Sequence, residues 1–142
     1  MIRLSRPLLS AIETAAEAAY PQECCGLLVG AGDGRTGFAV GRVVAAPNLA
    51  ETDPKTNFEI DPQVHFDLIR ELRDGPARIL GHYHSHPDHD ALPSERDRAR
   101  AWEPELVWII CAVRGGRAVE TRAHILDPAN GRFREIPLLT DG

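Results

Sequence analysis

The chain has 142 residues, of which 43% are hydrophobic and 26% are charged, and its formal net charge is −5. These values are typical of one folded globular domain and argue against a disordered chain. The charge is spread along the chain rather than gathered in a tail, which argues against nucleic acid as the main partner.

The N-terminal segment is not typical of a secretory signal or of a membrane span, because Glu13 and Glu17 interrupt its apolar residues. We therefore expect a cytoplasmic protein that does not enter a membrane, with a single domain over residues 1–142. The three cysteines lie in apolar runs without a Cys-x-x-Cys pair, which predicts buried free thiols at Cys24, Cys25 and Cys111.

The first elements along the chain are a helix and a β-hairpin. Apolar residues at helical spacing predict a helix over residues 6–20, which Pro21 ends. An apolar run predicts a buried strand over 24–30, and a glycine-rich turn at 30–34 leads from it into an antiparallel strand over 37–46.

A second helix follows a loop over residues 47–57. Asp61 is a suitable N-cap, Pro62 suits the first turn, and the pair Gly75–Pro76 ends the helix. One apolar stripe is predicted along it, formed by Val64, Leu68, Ile69 and Leu72.

The rest of the chain predicts a short helix and further strands. A strand over residues 78–84 runs into a histidine-rich segment, and Ser94 opens a helix that ends near Trp102. Three strands joined by tight turns follow, over 106–113, 119–126 and 133–136. Interleaved helices and strands predict an α/β (α+β) fold with a mixed, mostly antiparallel curved sheet flanked by helices.

Four of the six histidines lie in the segment HYHSHPDHD, residues 82–90. In a strand, residues two apart point to the same face, so His84 and His86 should aim together at the strand's end while Ser85 points away. Converging neutral imidazoles are suitable ligands for Zn²⁺. Because Pro87 ends the strand, the site would lie where a rigid element meets a loop.

A metal site needs a third ligand, and several nearby side chains can supply one: Asp88, His89, Asp90 and Asp97. Ser94 and Asp97 also form a Ser-x-x-acid pattern after Pro93, which by itself is typical of a helix N-terminal cap. From these residues alone, both interpretations of Asp97 stay open.

The whole pattern is His84-x-His86-Pro87, six residues, then Ser94-x-x-Asp97. It resembles the signature H-x-H-P…S-x-x-D of the JAMM (MPN+) metalloproteases, at the spacing of that family. The segment PQECCGLLVG, residues 21–30, resembles the family's early segment, in which a glutamate precedes Cys-Gly and an apolar strand. The resemblance spans most of the chain and implies an MPN/JAMM-like fold of the short bacterial type.

The resemblance also implies roles for particular residues. His84, His86 and Asp97 would hold one Zn²⁺ per chain and leave a fourth position for water, as a catalytic zinc site requires. Glu23 would act as the general base, and only the resemblance singles it out among 21 acidic residues. Ser94 would donate a hydrogen bond to the oxyanion of the tetrahedral intermediate.

The activity implied by the resemblance is that of a zinc peptidase or isopeptidase. Its substrate would be an amide at the C-terminus of a ubiquitin-like protein. Short bacterial-type members are associated with small sulfur carriers, and this chain has no long insertion for gripping ubiquitin. The expected partner is therefore a sulfur-carrier protein with a Gly-Gly-type C-terminus, whereas the sequence does not determine the oligomeric state.

Other functions fit the residues less well. A non-catalytic MPN-type scaffold is the main alternative, but such modules lose the ligands, and every ligand position is filled here. An Fe(II) oxygenase site also uses two histidines and a carboxylate, usually as a His-x-Asp pair in an all-β barrel. A zinc deaminase is excluded because no His-x-Glu…Pro-Cys-x-x-Cys pattern is present.

The remaining histidines have no single predicted role. In a regular strand His82 lies on the same face as His84. Three roles therefore stay open for it: support of the metal site, contact with the substrate, or ordinary packing. His89 is predicted to be a loop residue rather than a ligand, as are Asp88 and Asp90. No role is predicted for His65 or His124.

Overall fold

The structure, a computed structural model, describes residues 1–100, 106–127 and 129–141. Within these residues the chain forms eight strands and three helices. The helices are α1 (Arg6–Ala19), α2 (Pro62–Leu72) and α3 (Glu95–Arg100). The strands are β1 (Ile2–Ser5), β2 (Cys25–Asp33), β3 (Gly37–Ala46), β4 (Arg78–Pro87), β5 (Val107–Arg114), β6 (Arg117–Leu126), β7 (Phe133–Ile136) and β8 (Leu138–Asp141). The predicted end of the third helix near Trp102 lies outside the described residues.

The eight described strands form one curved sheet in the order β7-β6-β5-β4-β2-β3-β1-β8. Four of its seven neighbouring pairs are antiparallel and three are parallel. The predicted mixed, mostly antiparallel sheet flanked by helices is confirmed. Because β2 and β4 are neighbours in the middle of the sheet, the histidine segment lies beside the strand that follows Glu23.

The first helix lies where it was predicted, but an unpredicted strand precedes it. Ser5 caps α1, and its Oγ accepts a hydrogen bond from the N–H of Leu8 at 3.4 Å. β1 pairs in parallel with β3 and with the equally unpredicted β8. Each of these two strands has four residues, too few for a clear alternation, and their pairing partners lie far away in the sequence.

β2 and β3 form the predicted antiparallel hairpin, but the turn predicted at residues 30–34 is wrong. β2 continues to Asp33, and the turn consists of residues 34–36, whose backbone N–H groups donate two hydrogen bonds to the Asp33 carboxylate. Gly30 has a different purpose: a Cβ there would lie 1.9 Å from the carbonyl oxygen of Ala39. The glycine therefore permits a close approach of two strands rather than a turn.

α2 begins and ends close to its predicted bounds. Asp61 is its N-cap, and its carboxylate accepts a hydrogen bond from the N–H of Gln63 at 2.9 Å. Leu68 is buried against the sheet, whereas Ile69 is 50% exposed. The predicted apolar stripe is therefore wrong at Ile69, because the helix contacts the sheet along a narrower face.

The two long helices cover opposite faces of the sheet. On β2, Leu28 belongs to the core beneath α1, whereas Leu27 and Val29 pack with α2. The largest fully buried members of the core beneath α1 include Ile12, Leu28, Leu80, Tyr83 and Ile109. All three cysteines are buried and free, as predicted. None of the described helices combines the length and the apolar character that a membrane crossing requires.

Candidate metal centre and active site

The end of β4 carries His84 and His86 on the face of the sheet that α2 covers. The register sets this face, because His84 lies opposite Cys25, two residues before Leu27 on the same side of β2. Ser85 points to the other face, where its Oγ accepts a hydrogen bond from a backbone N–H at 2.7 Å. His84 and His86 are 0% and 4% exposed, and their Nε2 atoms lie 3.1 Å apart.

Asp97 reaches these rings from the first turn of α3. Its Oδ2 lies 3.3 Å from Nε2 of His84 and 3.1 Å from Nε2 of His86. The same oxygen accepts the N–H of Ser94 at 2.9 Å, and the N–H of Asp97 donates to Ser94 Oγ at 3.1 Å, which completes a capping box. The cap and the contact with the histidines are therefore compatible, because the cap holds the carboxylate beside the two rings.

Among the described residues, these three side chains form the group of donors close enough to share one metal ion. A tetrahedral ion with bonds of about 2.0 Å separates its ligand atoms by about 3.3 Å. The three donor atoms lie 3.1, 3.3 and 3.1 Å from one another, close to that spacing. Two imidazole nitrogens and one carboxylate oxygen leave one tetrahedral position for another ligand, so the residues present fit a catalytic metal site.

The charges of this group also favour a cation between the donors. Burial by itself raises the pKa of Asp97, but hydrogen bonds with His84 and His86, together with the N–H of Ser94, hold that pKa well below its usual range. Burial lowers the pKa of His86, yet contacts with Asp97 and with the carbonyl of Asp90 raise it overall. An ionised carboxylate beside two imidazoles is stabilised by positive charge placed among them.

Both histidines are oriented by groups outside the donor set. Nδ1 of His86 lies 2.7 Å from the carbonyl oxygen of Asp90. Because a carbonyl can only accept, Nδ1 donates, and Nε2 keeps its lone pair for a metal. Phe58 stacks on His84 with 4.3 Å between ring centroids and 19° between planes. No local sequence pattern marks Phe58 as part of the site, because its contact with His84 exists only in the fold.

Glu23 lies just before β2, and the pairing of β2 with β4 brings it to the histidines. Ser85 holds the next residue, Cys24, by two hydrogen bonds: Cys24 N–H donates to Ser85 Oγ at 2.7 Å, and Ser85 N–H donates to the Cys24 carbonyl at 3.2 Å. Glu23 is only 5% exposed. It lines the same cleft as His86 and Ser94, so residues far apart in the sequence meet at one place.

This cleft has a volume of about 400 Å³. Besides Glu23, His86 and Ser94, its lining consists of Thr56, His89, Asp90, Leu92, Glu95 and Arg96. Ser94 Oγ accepts the N–H of Asp97, so its own proton remains available to donate into the cleft. A larger cavity of about 560 Å³ lies between α2 and β4 and is lined mainly by apolar side chains. None of the five residues with predicted roles lines that larger cavity.

Four other histidines lie outside the donor group. His82 packs edge-on against Trp108, with 4.2 Å between ring centroids, and lines the larger cavity. His65 lines the same cavity, and His89 lines the cleft. His124 is buried, with Nε2 2.9 Å from a backbone carbonyl oxygen. None of them shares the metal-binding geometry of His84 and His86.

Asp88 and Asp90 organise the loop after β4, as predicted for loop residues. The carboxylate of Asp88 accepts hydrogen bonds from the Tyr20 hydroxyl at 2.7 Å and from the Gly115 N–H at 3.0 Å. The carboxylate of Asp90 pairs with Arg114 at 2.7 Å. Both side chains therefore brace the loop whose backbone carbonyl orients His86.

The chain is similar to three characterised or named proteins. It is 35% identical over 108 residues to the desampylase of Haloferax volcanii, and the aligned region covers 76% of this chain and 75% of that protein. It is 33% identical to a probable TtuB-protein conjugate cleaving protease of Thermus thermophilus, over 69% of this chain and 61% of that protein. It is 30% identical to tail tip assembly protein K of Escherichia phage N15, over 82% of this chain but only 44% of the phage protein.

Solved structures show the same fold. A solution structure of a protein from Desulfitobacterium hafniense superposes with a TM-score of 0.83 at 28% identity, covering 99% of this chain and 93% of that one. A JAB1/MPN domain protein from Archaeoglobus fulgidus superposes with a TM-score of 0.59 at 20% identity, covering 99% of both chains. A structure described as JAMM, a metalloprotease-like zinc site in the proteasome and signalosome, superposes at 0.57 and 19% identity, covering 100% of this chain and 99% of that one. At these lower identities the last two similarities concern the fold alone.

The family match covers most of the chain. Residues 5–124 match the model described as prokaryotic homologs of the JAB domain, a range that includes β4, α3 and the segment before β2. The protein therefore belongs to the prokaryotic JAB family and is a JAMM-type hydrolase.

Proposed function

We propose that this protein is a zinc-dependent peptidase that hydrolyses an amide bond at the C-terminus of a ubiquitin-like protein of the sulfur-carrier type. The observation that carries the proposal is the donor triangle of His84, His86 and Asp97, at 3.1–3.3 Å, beside a cleft lined by Glu23 and Ser94. The names of the Haloferax and Thermus relatives support hydrolysis of protein conjugates.

His84, His86 and Asp97 would hold Zn²⁺, which lowers the pKa of a water molecule towards ~7 and polarises a carbonyl group. Glu23 accepts a proton from the attacking water and returns it to the leaving amine. The Ser94 hydroxyl donates a hydrogen bond to the carbonyl oxygen as negative charge develops there. Burial of Glu23, at 5% exposure, keeps bulk water away from the carboxylate while the proton is transferred.

The size of the cleft is compatible with a polypeptide terminus as substrate. Its volume of about 400 Å³ accommodates a few residues of extended chain. A Gly-Gly-type C-terminus, with the smallest of all residues, occupies little of this volume. Residues 1–142 would form one catalytic domain, and the cytoplasmic location stays a prediction from the sequence.

A non-catalytic interaction scaffold is the second candidate. Such a module needs neither a convergent set of metal ligands nor a buried carboxylate beside it. Both are present here, with His84, His86 and Asp97 at tetrahedral spacing and Glu23 at the same cleft. The two candidates differ in one respect that can be measured, which is cleavage by the zinc-loaded protein.

The test uses a sulfur-carrier protein that ends in Gly-Gly, fused to a short C-terminal extension. We expect the zinc-loaded protein to remove the extension after the second glycine, which mass spectrometry of the carrier detects. A matched fusion with Val-Val at the same place should be cleaved more slowly, because β-branched side chains hinder the approach of the scissile carbonyl to the buried donor group. A chelator should stop the reaction and added Zn²⁺ should restore it. Binding of the carrier without cleavage would favour the scaffold.

Asp97→Asn separates the metal-binding role from the helix cap. The amide oxygen can still accept the Ser94 N–H, so the free energy of unfolding should fall by about 1 kcal/mol or less. Zinc affinity and activity should both drop sharply, because the variant no longer places a negative charge between His84 and His86. Thermal unfolding, zinc titration and cleavage of the carrier fusion measure these three effects.

The matched variant for this experiment is Ser94→Ala. It removes the capping hydroxyl, which accepts the Asp97 N–H at 3.1 Å, but no metal ligand. It should lose about 1 kcal/mol of stability and keep its zinc. If Asp97→Asn binds zinc as tightly as wild type, Asp97 is only a cap partner.

A further inference from the structure

We propose that Asn48 is a positioning residue, which holds the general base Glu23 and the metal ligand His84 in a fixed relation to each other. Asn48 lies just after β3 and is half-buried. It does not line the cleft. The inference rests on the proposed function, since it gives Asn48 a part in the same reaction.

The side-chain amide of Asn48 makes four hydrogen bonds. Its Nδ2 donates to the backbone carbonyls of Glu23 and Asn57, each at 3.0 Å. Its Oδ1 accepts from the N–H of Ala50 at 2.9 Å and of Glu59 at 3.0 Å. Two partners are pure acceptors and two are pure donors, so this chemistry determines the orientation of the amide.

One pair of contacts fixes the backbone of Glu23. The carbonyl of Glu23 accepts from Asn48, and the N–H of Glu23 donates to the carbonyl of Pro54 at 2.8 Å. The peptide groups on both sides of the Glu23 Cα are therefore held by the segment 48–60. The Glu23 Cα lies between these two peptide groups. The segment 48–60 therefore fixes the direction of the Cα–Cβ bond, from which the Glu23 carboxylate extends.

The other pair of contacts fixes Phe58. Asn48 bonds the carbonyl of Asn57 and the N–H of Glu59, the two residues that flank Phe58. Phe58 is 6% exposed, and its ring stacks on His84 with 4.3 Å between centroids. The orientation of this metal ligand thus depends on a ring that Asn48 holds from both sides.

Asn48 therefore connects two residues of the proposed reaction that come from different parts of the chain. Glu23 precedes β2, and His84 lies in β4. A general base must meet its water within hydrogen-bond distance, and a misplacement of about 1 Å can cost ~100-fold in rate. Loss of the Asn48 contacts should reduce the rate of the chemical step more than the binding of substrate or metal.

The decisive variant is Asn48→Asp. Aspartate has nearly the same shape and still accepts from Ala50 and Glu59, but it cannot donate to the carbonyls of Glu23 and Asn57. The control is Asn130→Asp, in an exposed turn where, among the described residues, the side chain accepts the N–H of Arg132 at 2.9 Å and donates to none. Each protein is measured for kcat and KM on the carrier fusion, zinc content, thermal unfolding and the visible spectrum of its Co²⁺-substituted form.

For Asn48→Asp we expect kcat to fall by roughly 10- to 100-fold and KM to change by less than about threefold. Zinc content should stay near wild type, and the Co²⁺ spectrum should shift because the stacking on His84 changes. Asn130→Asp should resemble wild type in every measurement. A wild-type kcat in Asn48→Asp, or a loss of kcat equal to the loss of folded protein, would overturn the inference.

A second variant covers the case in which Asn48→Asp does not fold. Asn48→Ser has a hydroxyl too short to reach the carbonyls of Glu23 and Asn57 together, so it should show the same loss of kcat. A folded and fully active Asn48→Ser variant would show that Asn48 does not position the catalytic groups, and would overturn the inference. If wild type itself cleaves nothing, the proposed function is wrong, and the Co²⁺ spectrum alone decides the inference: a shift in Asn48→Asp supports it, and an unchanged spectrum overturns it.

Discussion

Glu23→Gln should keep its fold and its zinc, bind the carrier fusion, and cleave it at least ~100-fold more slowly than wild type, since a general base typically contributes ~100- to 10,000-fold in rate. Glutamine has nearly the size of glutamate and retains hydrogen-bonding groups, but it cannot accept the proton of the attacking water. Circular dichroism, zinc content, titration with the carrier fusion and single-turnover cleavage measure these four properties separately.

The matched control for this variant is Glu95→Gln. Glu95 lines the same cleft but is exposed, whereas Glu23 is 5% exposed. Glu95→Gln removes the same charge from the same cleft but not the general base. Its cleavage rate should therefore differ from that of wild type by less than about threefold, because an exposed charge has only a small electrostatic effect. Hydrolysis by Glu23→Gln at the wild-type rate would show that the proposed mechanism is wrong, even with zinc in place.

The double variant His84→Ala/His86→Ala should lose its zinc and all measurable cleavage. Wild type should contain about one zinc per chain, because three ligands and one open position are typical of a catalytic site. Removing both imidazoles leaves Asp97 as the remaining donor of the group, and a single carboxylate does not retain the ion. Elemental analysis of the purified proteins gives the metal content directly.

The stability of this double variant should fall only moderately. A one-domain core of this size folds without a metal, in contrast to small zinc fingers. His65→Ala/His89→Ala serves as the control, since both histidines lie outside the donor group. It should keep its zinc. Full zinc in the His84→Ala/His86→Ala protein would place the site elsewhere.

Much of the fold follows from local patterns. The bounds of α1 and α2 depend on Ser5, Asp61 and nearby prolines, which act within one turn of the chain. The hairpin of β2 with β3 follows from apolar runs separated by a short polar segment. Patterns of this kind are visible in the sequence because the interacting residues are close together along it.

The sequence-based predictions were wrong where a residue's contact partner is distant along the chain. β1 and β8 are short strands that pair with each other across nearly the whole chain, so neither shows a pattern of its own. Gly30 suggested a turn because glycine is common in turns, but its reason is the approach of Ala39 on the next strand. Ile69 fitted the apolar stripe of α2, whereas the real width of the contact depends on how the helix lies on the sheet.

The sequence by itself determined that His84 and His86 would share a face, because strand alternation is local, and it indicated a helix cap as one of two open roles for Ser94 and Asp97. It singled out Glu23 only through the resemblance to a family, since nothing nearby distinguishes this carboxylate. Only the tertiary structure placed Glu23 and Phe58 beside the histidines and joined both of their backbone segments to Asn48. The physical reason is that pairing of β2 with β4 and closure of the segment 48–60 join groups that are remote in sequence, and such contacts leave no periodic trace in it.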